Sequence, residues 1–531
     1  MKKILYVLSA SAALVFSSCN PEILDTSPTD SVSGETMLND TQGGYKALNG
    51  TIRHFWQWGV TTTGNYHQCF GPQSYNLMAD LMGEDMVMAA QGSGWFWFDY
   101  LYDVKDAFSN TAWRSYDAWN YYYTLIANVN YIIAAKDKMS GEPDDINYII
   151  GNAYAFRAYA YAYAGMLFGR SYIGHEDKLC VPIYTEPTVA GTKGKARETN
   201  KKVFAQAMDD INEAIRLIGD LPQKHVSHFD KYVANGLKAR IALYMGNYQE
   251  AHDAASIAVK GGSYAFDKDF HYNDAANKSV LWGAEIIEAQ GTTNPQFLVH
   301  MDWRYNKGDG YGGLARKCAS AWLYGKLRGD DARKGWWNYE VLADKKTFGY
   351  QQYKFLFADS TNPKTGADHI FMRAPEMQLI IAETACRLGN ETEAKTALND
   401  LMKTRSESYD CSSLSGATLG KLTTDETGSL LEEIILQRRI ELWGEVGRIY
   451  DIKRLRQGFK RTSDMGHPTG SLLINRHTDD PESFDWVMTI PSKEIDANPL
   501  ILQNPVGSYP DDSGLEGDDP ALAPKADDKT E

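Results

Sequence analysis

The sequence has few of the features that would assign it a chemistry. Only 6 of its 531 residues are cysteine, widely spaced and with no CxxC pair, which argues against a disulfide framework or a structural zinc site. No uncharged apolar run reaches the ~20 residues a transmembrane helix needs. Positive charge is scarce: 54 Lys and Arg against 69 Asp and Glu leave a formal charge of −15, which disfavours nucleic acid and anionic membrane surfaces as partners. No GxSxG, HExxH, P-loop or EF-hand pattern occurs. Gly308-Asp309-Gly310-Tyr311-Gly312-Gly313 fits GxGxxG in letters, but "WRYNK" precedes it where a dinucleotide site needs a buried strand, so it reads as a recognition loop. His225 and His228 have HxxH spacing without a third ligand, and Pro222 places them in a loop. No metal and no cofactor is therefore expected.

Aromatic residues are abundant instead, at 12%, with 32 Tyr, 19 Phe and 13 Trp. Tyr and Trp combine an apolar face with a polar handle and serve equally in a core or on a wet recognition surface. They concentrate in "QGSGWFWFDYLYD", residues 91–103, directly after Gly92-Ser93-Gly94. Read as a strand, this stretch puts Trp95, Trp97 and Asp99 on one side and Phe96, Phe98 and Tyr100 on the other. One side is then core, and the other needs a covering element or a ligand.

The N-terminus runs from Lys2-Lys3 through an apolar Ile4–Phe16 to Ser17-Ser18-Cys19. That order is a signal peptide over 1–18, too short to span a bilayer. Cys after two small residues resembles a bacterial lipobox, which makes Cys19 the expected lipidation site and the first mature residue. Acyl chains there would hold the protein stably on a membrane. Residues 19–35 read as a polar tether, and 510–531, with eight acidic residues against two lysines, as a disordered tail.

Between these ends the pattern is helical. "WNYYYTLIANVNYIIAA" carries a helical apolar stripe through Tyr122, Leu125, Ile126, Val129, Ile132 and Ile133. Residues 239–259 then align without a gap on 382–402, sharing Ala239/Ala382, Ala242/Ala385, Gly246/Gly389, Asn247/Asn390, Glu250/Glu393, Ala251/Ala394 and Ala254/Ala397. Helix, Gly-Asn turn and Ala-rich helix is the layout of a tetratricopeptide hairpin. Helical hairpins over about 119–262 and 370–457 thus flank an irregular, Gly- and Trp-rich insertion over about 265–370. Loops held on a rigid scaffold are where recognition surfaces sit. In "ILQRRIELWGEVGRIYDIKRLRQ" (435–457) Glu441 and Glu445 look like paired acids, but arginines at i+3 and i+4 spacing predict an ion-pair network that keeps both ionised.

Several stretches together resemble the SusD-like (RagB/SusD) outer-membrane lipoproteins of Bacteroidetes. They are the FSSC lipobox followed by "EILDTSPTD", "WNYYYTLIANVNYII", "AYAFRAYAYAYAGMLFG" leading to "VPI", "RAPEMQLIIAETACRLGN", "QRRIELWGEVGRIYDIKR" and "IPSKEIDANPLILQNP". Ala374-Pro375 departs from the plainer helical entry the family favours. The resemblance implies a mostly α fold in one domain over 36–509: a tetratricopeptide-like scaffold with the loop-rich insertion forming the ligand-binding half. It implies a non-enzymatic protein that captures a glycan at the cell surface for a SusC-like TonB-dependent transporter. On that basis Asp85, Trp95 and Trp97 would form one side of the ligand site and Trp303, Tyr305 and Tyr311, in "HMDWRYNKGDGYGG", the other. Two other readings stay open at this point. One is capture of peptides; the other is a surface glycoside hydrolase, which requires two carboxylates about 5–9 Å apart near the aromatics, for which Asp85 and Asp99 are the candidates.

Overall fold

The computed structural model describes residues 37–57, 61, 65–88, 95–105, 113–189, 191–260, 265–266, 274–287, 297–341, 348–361, 368–505 and 507–508. The leader, Cys19, the tether, Gly92-Ser93-Gly94 and the acidic tail lie outside the described residues. The chain starts with α1 (Thr41–Arg53), α2 (Pro72–Met82), the short strand β1 (Met86–Met88) and a single helical turn α3 (Trp97–Tyr100). Five helices follow: α4 (Trp113–Ala134), α5 (Pro143–Phe168), α6 (Asn200–Ile218), α7 (Lys231–Met245) and α8 (Tyr248–Lys260).

Helix α5 shows why this part is a helical array. Pro143 sits at its N-terminus with Asp144 and Asp145 in the first turn, where carboxylates complement the helix dipole. From Tyr148 to Phe168 nearly every side chain is buried, and the alternation of Ala with Tyr and Phe lets α4 and α6 pack closely on either side. Such all-round burial is the signature of a central helix.

The insertion holds β2 (Val280–Ala284), α9 (Phe297–Met301), α10 (Tyr311–Leu314), β3 (Lys317–Ala319), α11 (Ala321–Gly325), β4 (Trp337–Val341), β5 (Phe348–Gln352) and β6 (His369–Arg373). It is more ordered than its composition suggests. An antiparallel sheet runs in the order β1-β3-β5-β4, with Met86 opposite Ala319 and Met88 opposite Lys317. Strand β1 comes from the N-terminal part of the chain, so this sheet fastens residues 86–88 to the insertion. Strands β2 and β6 pair at the insertion's two ends.

The helices resume with α12 (Ala374–Arg387), α13 (Glu391–Met402), α14 (Leu430–Glu441), α15 (Arg448–Leu455) and the short α16 (Ser492–Ala497). Pro375 occupies the first turn of α12, where its missing N–H costs nothing. The two repeats are neighbours in space, with α8 packed on α12. The Arg240 guanidinium spans from α7 to Glu376 at 2.6 and 2.8 Å, and His252 meets Glu393 at 3.1 Å. The insertion therefore interrupts the sequence and leaves the helical stack continuous. In both hairpins the turn Gly is left-handed (φ 77° at Gly246, 82° at Gly389), and the next N–H returns to the carbonyl of Ala242 or Ala385.

The ion-pair network at 435–457 is present, with partners that are mostly remote in sequence. Asp451 binds Arg438 at 2.8 Å and Arg454 at 2.6 Å, the local pairing expected. Glu441 instead meets Arg405 at 2.8 Å, Arg373 at 3.1 Å and Arg333 at 3.4 Å, and Glu445 meets Arg373 and Lys354 at 2.6 Å. These guanidinium groups hold the Glu441 carboxyl well below its ordinary range despite complete burial. Five chain segments thus converge on one helix.

Candidate aromatic ligand site

Residues 95–100 are a turn and a helical turn, not the strand the sequence suggested. Phe96 adopts a left-handed conformation (φ 64°) and donates its N–H to the Gln68 side chain at 2.5 Å. A helix rotates successive side chains by about 100°, so the four aromatics do not sort by alternation. Phe96 is fully buried. Trp97 is only 5% exposed and packs on Tyr100 at 5.5 Å between ring centroids, whereas Phe98, expected in the core, is 50% exposed. Asp99 lies beneath them, held by Arg114 at 2.8 and 3.1 Å.

Trp95 is the member of this group that reaches the insertion. Its ring lies 4.3 Å from Tyr311, the first residue of α10, and 5.4 Å from His67. The Tyr66 ring lies 4.1 Å from His67 at an interplanar angle of 30°, and His300 on α9 lies 4.9 Å from Tyr311. Tyr66, His67, Trp95 and Tyr311 form a half-open row where the N-terminal part of the chain meets the insertion.

Hydrogen bonds tie this row together. The Tyr311 hydroxyl is hydrogen-bonded to Nδ1 of His67. Burial lowers the His67 pKa from its ordinary value. His300, fully buried, donates Nε2–H to the His67 carbonyl at 2.7 Å. Burial and the neighbouring Lys317 push its pKa well below the ordinary value. Nε1 of Trp95 has no acceptor among the described residues. The Trp95 N–H is itself enclosed, so the row offers half-open flat rings with the His67 imidazole among them, which suits a ligand with apolar C–H faces.

The other expected site residues lie apart from this contact. Trp303 is half-buried under the Arg316 guanidinium at 4.8 Å, and Tyr305 leans on Phe357 at 5.6 Å. Both stand on the turn that leads into Tyr311. Asp85 is not brought to the surface: it is 3% exposed, bound to Arg439 at 2.7 and 2.9 Å and to Arg448 at 3.1 Å. A carboxylate next to the insertion looked like a ligand group, but the arginines of α14 and α15 take it up. Trp97 is likewise core, for the helical reason given above.

Residues 64–243 match the family model described as "Starch-binding associating with outer membrane", and residues 299–507 match that of the SusD family. A SusD-like carbohydrate binding protein from Bacteroides vulgatus superposes with a TM-score of 0.72 at 23% identity, over 87% of this chain and 97% of that one. The chain belongs to the SusD-like family. A SusD superfamily protein from Bacteroides thetaiotaomicron gives a TM-score of 0.70 at 22% identity, over 88% and 100% of the two chains. Surface glycan-binding protein A from the same organism, in complex with laminarihexaose, gives 0.62 at 15%, over 87% and 99%. No curated protein matches the sequence. No helix among the described residues is long and apolar enough to cross a membrane, and the family description places association at the outer membrane.

Tyr66, His67 and His300 are the aromatic residues around Trp95 and Tyr311 that sequence reasoning missed. Nothing marks "NYHQCF" as functional in the sequence, because its neighbours Trp95 and Tyr311 come from two other segments.

Proposed function

We propose that this SusD-like protein captures an oligo- or polysaccharide at the row formed by Trp95 and Tyr311 and passes it to a SusC-like TonB-dependent transporter, tethered to the outer membrane by acyl chains on Cys19. The observation that carries this reading is the 4.3 Å approach of the half-exposed Trp95 and Tyr311 rings beside His67. A sugar ring stacks on such a surface through its C–H face, while its hydroxyls hydrogen-bond to the His67 imidazole. Tyr305 and Trp303 flank the row from the same turn; Asp85 and Trp97 hold the wall from behind. The laminarihexaose complex of a structural neighbour supports saccharide as the ligand class. Asp85 and Asp99 are both taken up by arginines, so neither is offered as the acid of a glycoside hydrolase.

Titration calorimetry with laminarihexaose and a panel of plant, host and microbial saccharides tests this. Trp95→Ala and Tyr311→Ala should each weaken binding by about 1–3 kcal/mol per folded molecule, while Phe98→Ala leaves it unchanged. Undiminished saccharide binding in both Trp95→Ala and Tyr311→Ala would overturn the site. For the anchor, Cys19→Ala should abolish labelled-palmitate incorporation and membrane fractionation.

A further inference from the structure

A cleft of about 800 Å³ lies between α1 and the loop joining α6 to α7, with Glu285 and Ile287 at another edge. Tyr45, Asn49 and Arg53 recur at every fourth position of α1 and line it from one helix face, and Trp56 follows in the next turn. Trp56 is half-buried and stacks on His369 at 6.3 Å with an interplanar angle of 21°, which fixes its orientation. None of these residues belongs to the aromatic row described above.

The hydrogen bonds of the lining leave over groups of one kind. The Tyr148 hydroxyl accepts from the Lys224 N–H at 3.0 Å, so its own proton is directed at Nδ1 of His228, 3.3 Å away. Burial keeps the His228 ring neutral, with its pKa near 4, and its N–H is therefore on Nε2. That N–H donates to the Asn49 side-chain oxygen at 3.0 Å, which leaves the Asn49 NH₂ as a donor without an acceptor among the described residues. In His225, Nδ1 accepts from the N–H and the hydroxyl of Ser227 at 3.2 and 2.8 Å. Its N–H is then on Nε2, 3.8 Å from Glu285 and beyond hydrogen-bond length. Arg53 is exposed and has no carboxylate partner among the described residues, whereas Lys224 is paired with Asp145 at 2.5 Å. The groups on this side with no hydrogen-bond acceptor among the described residues are the Asn49 amide NH₂, the Arg53 guanidinium and the His225 N–H, the last of which faces Glu285 at 3.8 Å. All are donors and one is a full positive charge; Glu285, 52% exposed, stands at the rim.

We infer that this cleft is a second saccharide site, one that takes a sugar carrying a carboxylate. The carboxylate would sit on Arg53 in the charge-assisted geometry that guanidinium favours, with the Asn49 amide and His225 N–H on neighbouring oxygens and the sugar ring against Trp56. The ligand class rests on the saccharide-binding reading above; the site and its residues are separate from it.

The test is calorimetry on the full-length protein with tetragalacturonate and tetramannuronate, their methyl esters, laminarihexaose as a neutral saccharide, and acetate as a bare carboxylate. An acidic tetrasaccharide should bind, its ester at least tenfold more weakly, and acetate should not compete at equal concentration. Arg53→Glu and the milder Arg53→Gln should each weaken the acidic ligand at least tenfold and leave laminarihexaose unaffected. Trp95→Ala should do the reverse. Binding of neither acidic tetrasaccharide, equal binding of acid and ester, or full affinity in both Arg53 variants would overturn the second site. Loss of neutral-saccharide binding alone would bear on the aromatic row and leave this proposal standing.

Discussion

Lys317 offers a quantitative test of how the wall behind the aromatic row is built. It lies on β3 opposite Met88, is fully buried, and its ammonium has no hydrogen-bond partner among the described residues. The Phe96 ring lies 5.8 Å from it. Burial lowers its pKa from 10.5 to about 7. The sign follows from proton counts. Between pH 7 and 10.5 the unfolded chain holds a proton that the folded chain has given up, so stability rises with pH across this window. At 1.36 kcal/mol per pKa unit the burial costs about 4 kcal/mol at pH 7 and about 2 at pH 9. Lys317→Met keeps the volume and removes the titratable group. The variant should therefore gain about 4 kcal/mol at pH 7 and about 2 at pH 9. Urea denaturation of both proteins at the two pH values measures this directly. A destabilised variant, or a gain that is the same at both values, would refute the reasoning.

Three further outcomes are expected. Asp85→Asn removes one of the two carboxylates that hold Arg439 and Arg448, Glu84 at 2.9 Å being the other, and should lower stability by about 3 kcal/mol, with saccharide affinity per folded molecule unchanged; the opposite pattern in melts and titrations would return Asp85 to the ligand site. Gly389→Ala should cost about 1 kcal/mol through backbone strain alone, because its φ is 82° and no atom lies within 4 Å of the added methyl; Gly389→Asn should recover part of it. His467, buried with its pKa near 3, gives up its proton on folding, so its contribution is complete above pH 6.5 and is lost as pH falls toward 3. His467→Gln should accordingly remove about one proton from the slope of stability against pH between 4 and 6.

The sequence by itself determined the scaffold. The repeated Gly-Asn turns and the Ala-aromatic face of α5 are local signals: a left-handed glycine and a helical period act over a few residues, and the structure uses both as read. It also determined that arginines would saturate the acids at 435–457, since charge of both signs at that density can only pair. The partners were a tertiary matter. Glu441 chose Arg333, Arg373 and Arg405 over its helical neighbours, because burial rewards the guanidinium groups that packing delivers and sequence spacing does not rank those. The same holds at the aromatic row. Trp95 and Tyr311 could be nominated from composition, but their meeting depends on β1 pairing with β3 across the insertion, and Tyr66 and His67 enter only through that contact. Asp85 and Trp97 were turned away from a ligand by two different causes. The arginines of α14 and α15 take up Asp85, while at Trp97 Phe96 in a left-handed conformation turned an expected strand into a helical turn. Only the folded chain could decide that, since it is the Gln68 side chain, from another segment, that holds Phe96 there.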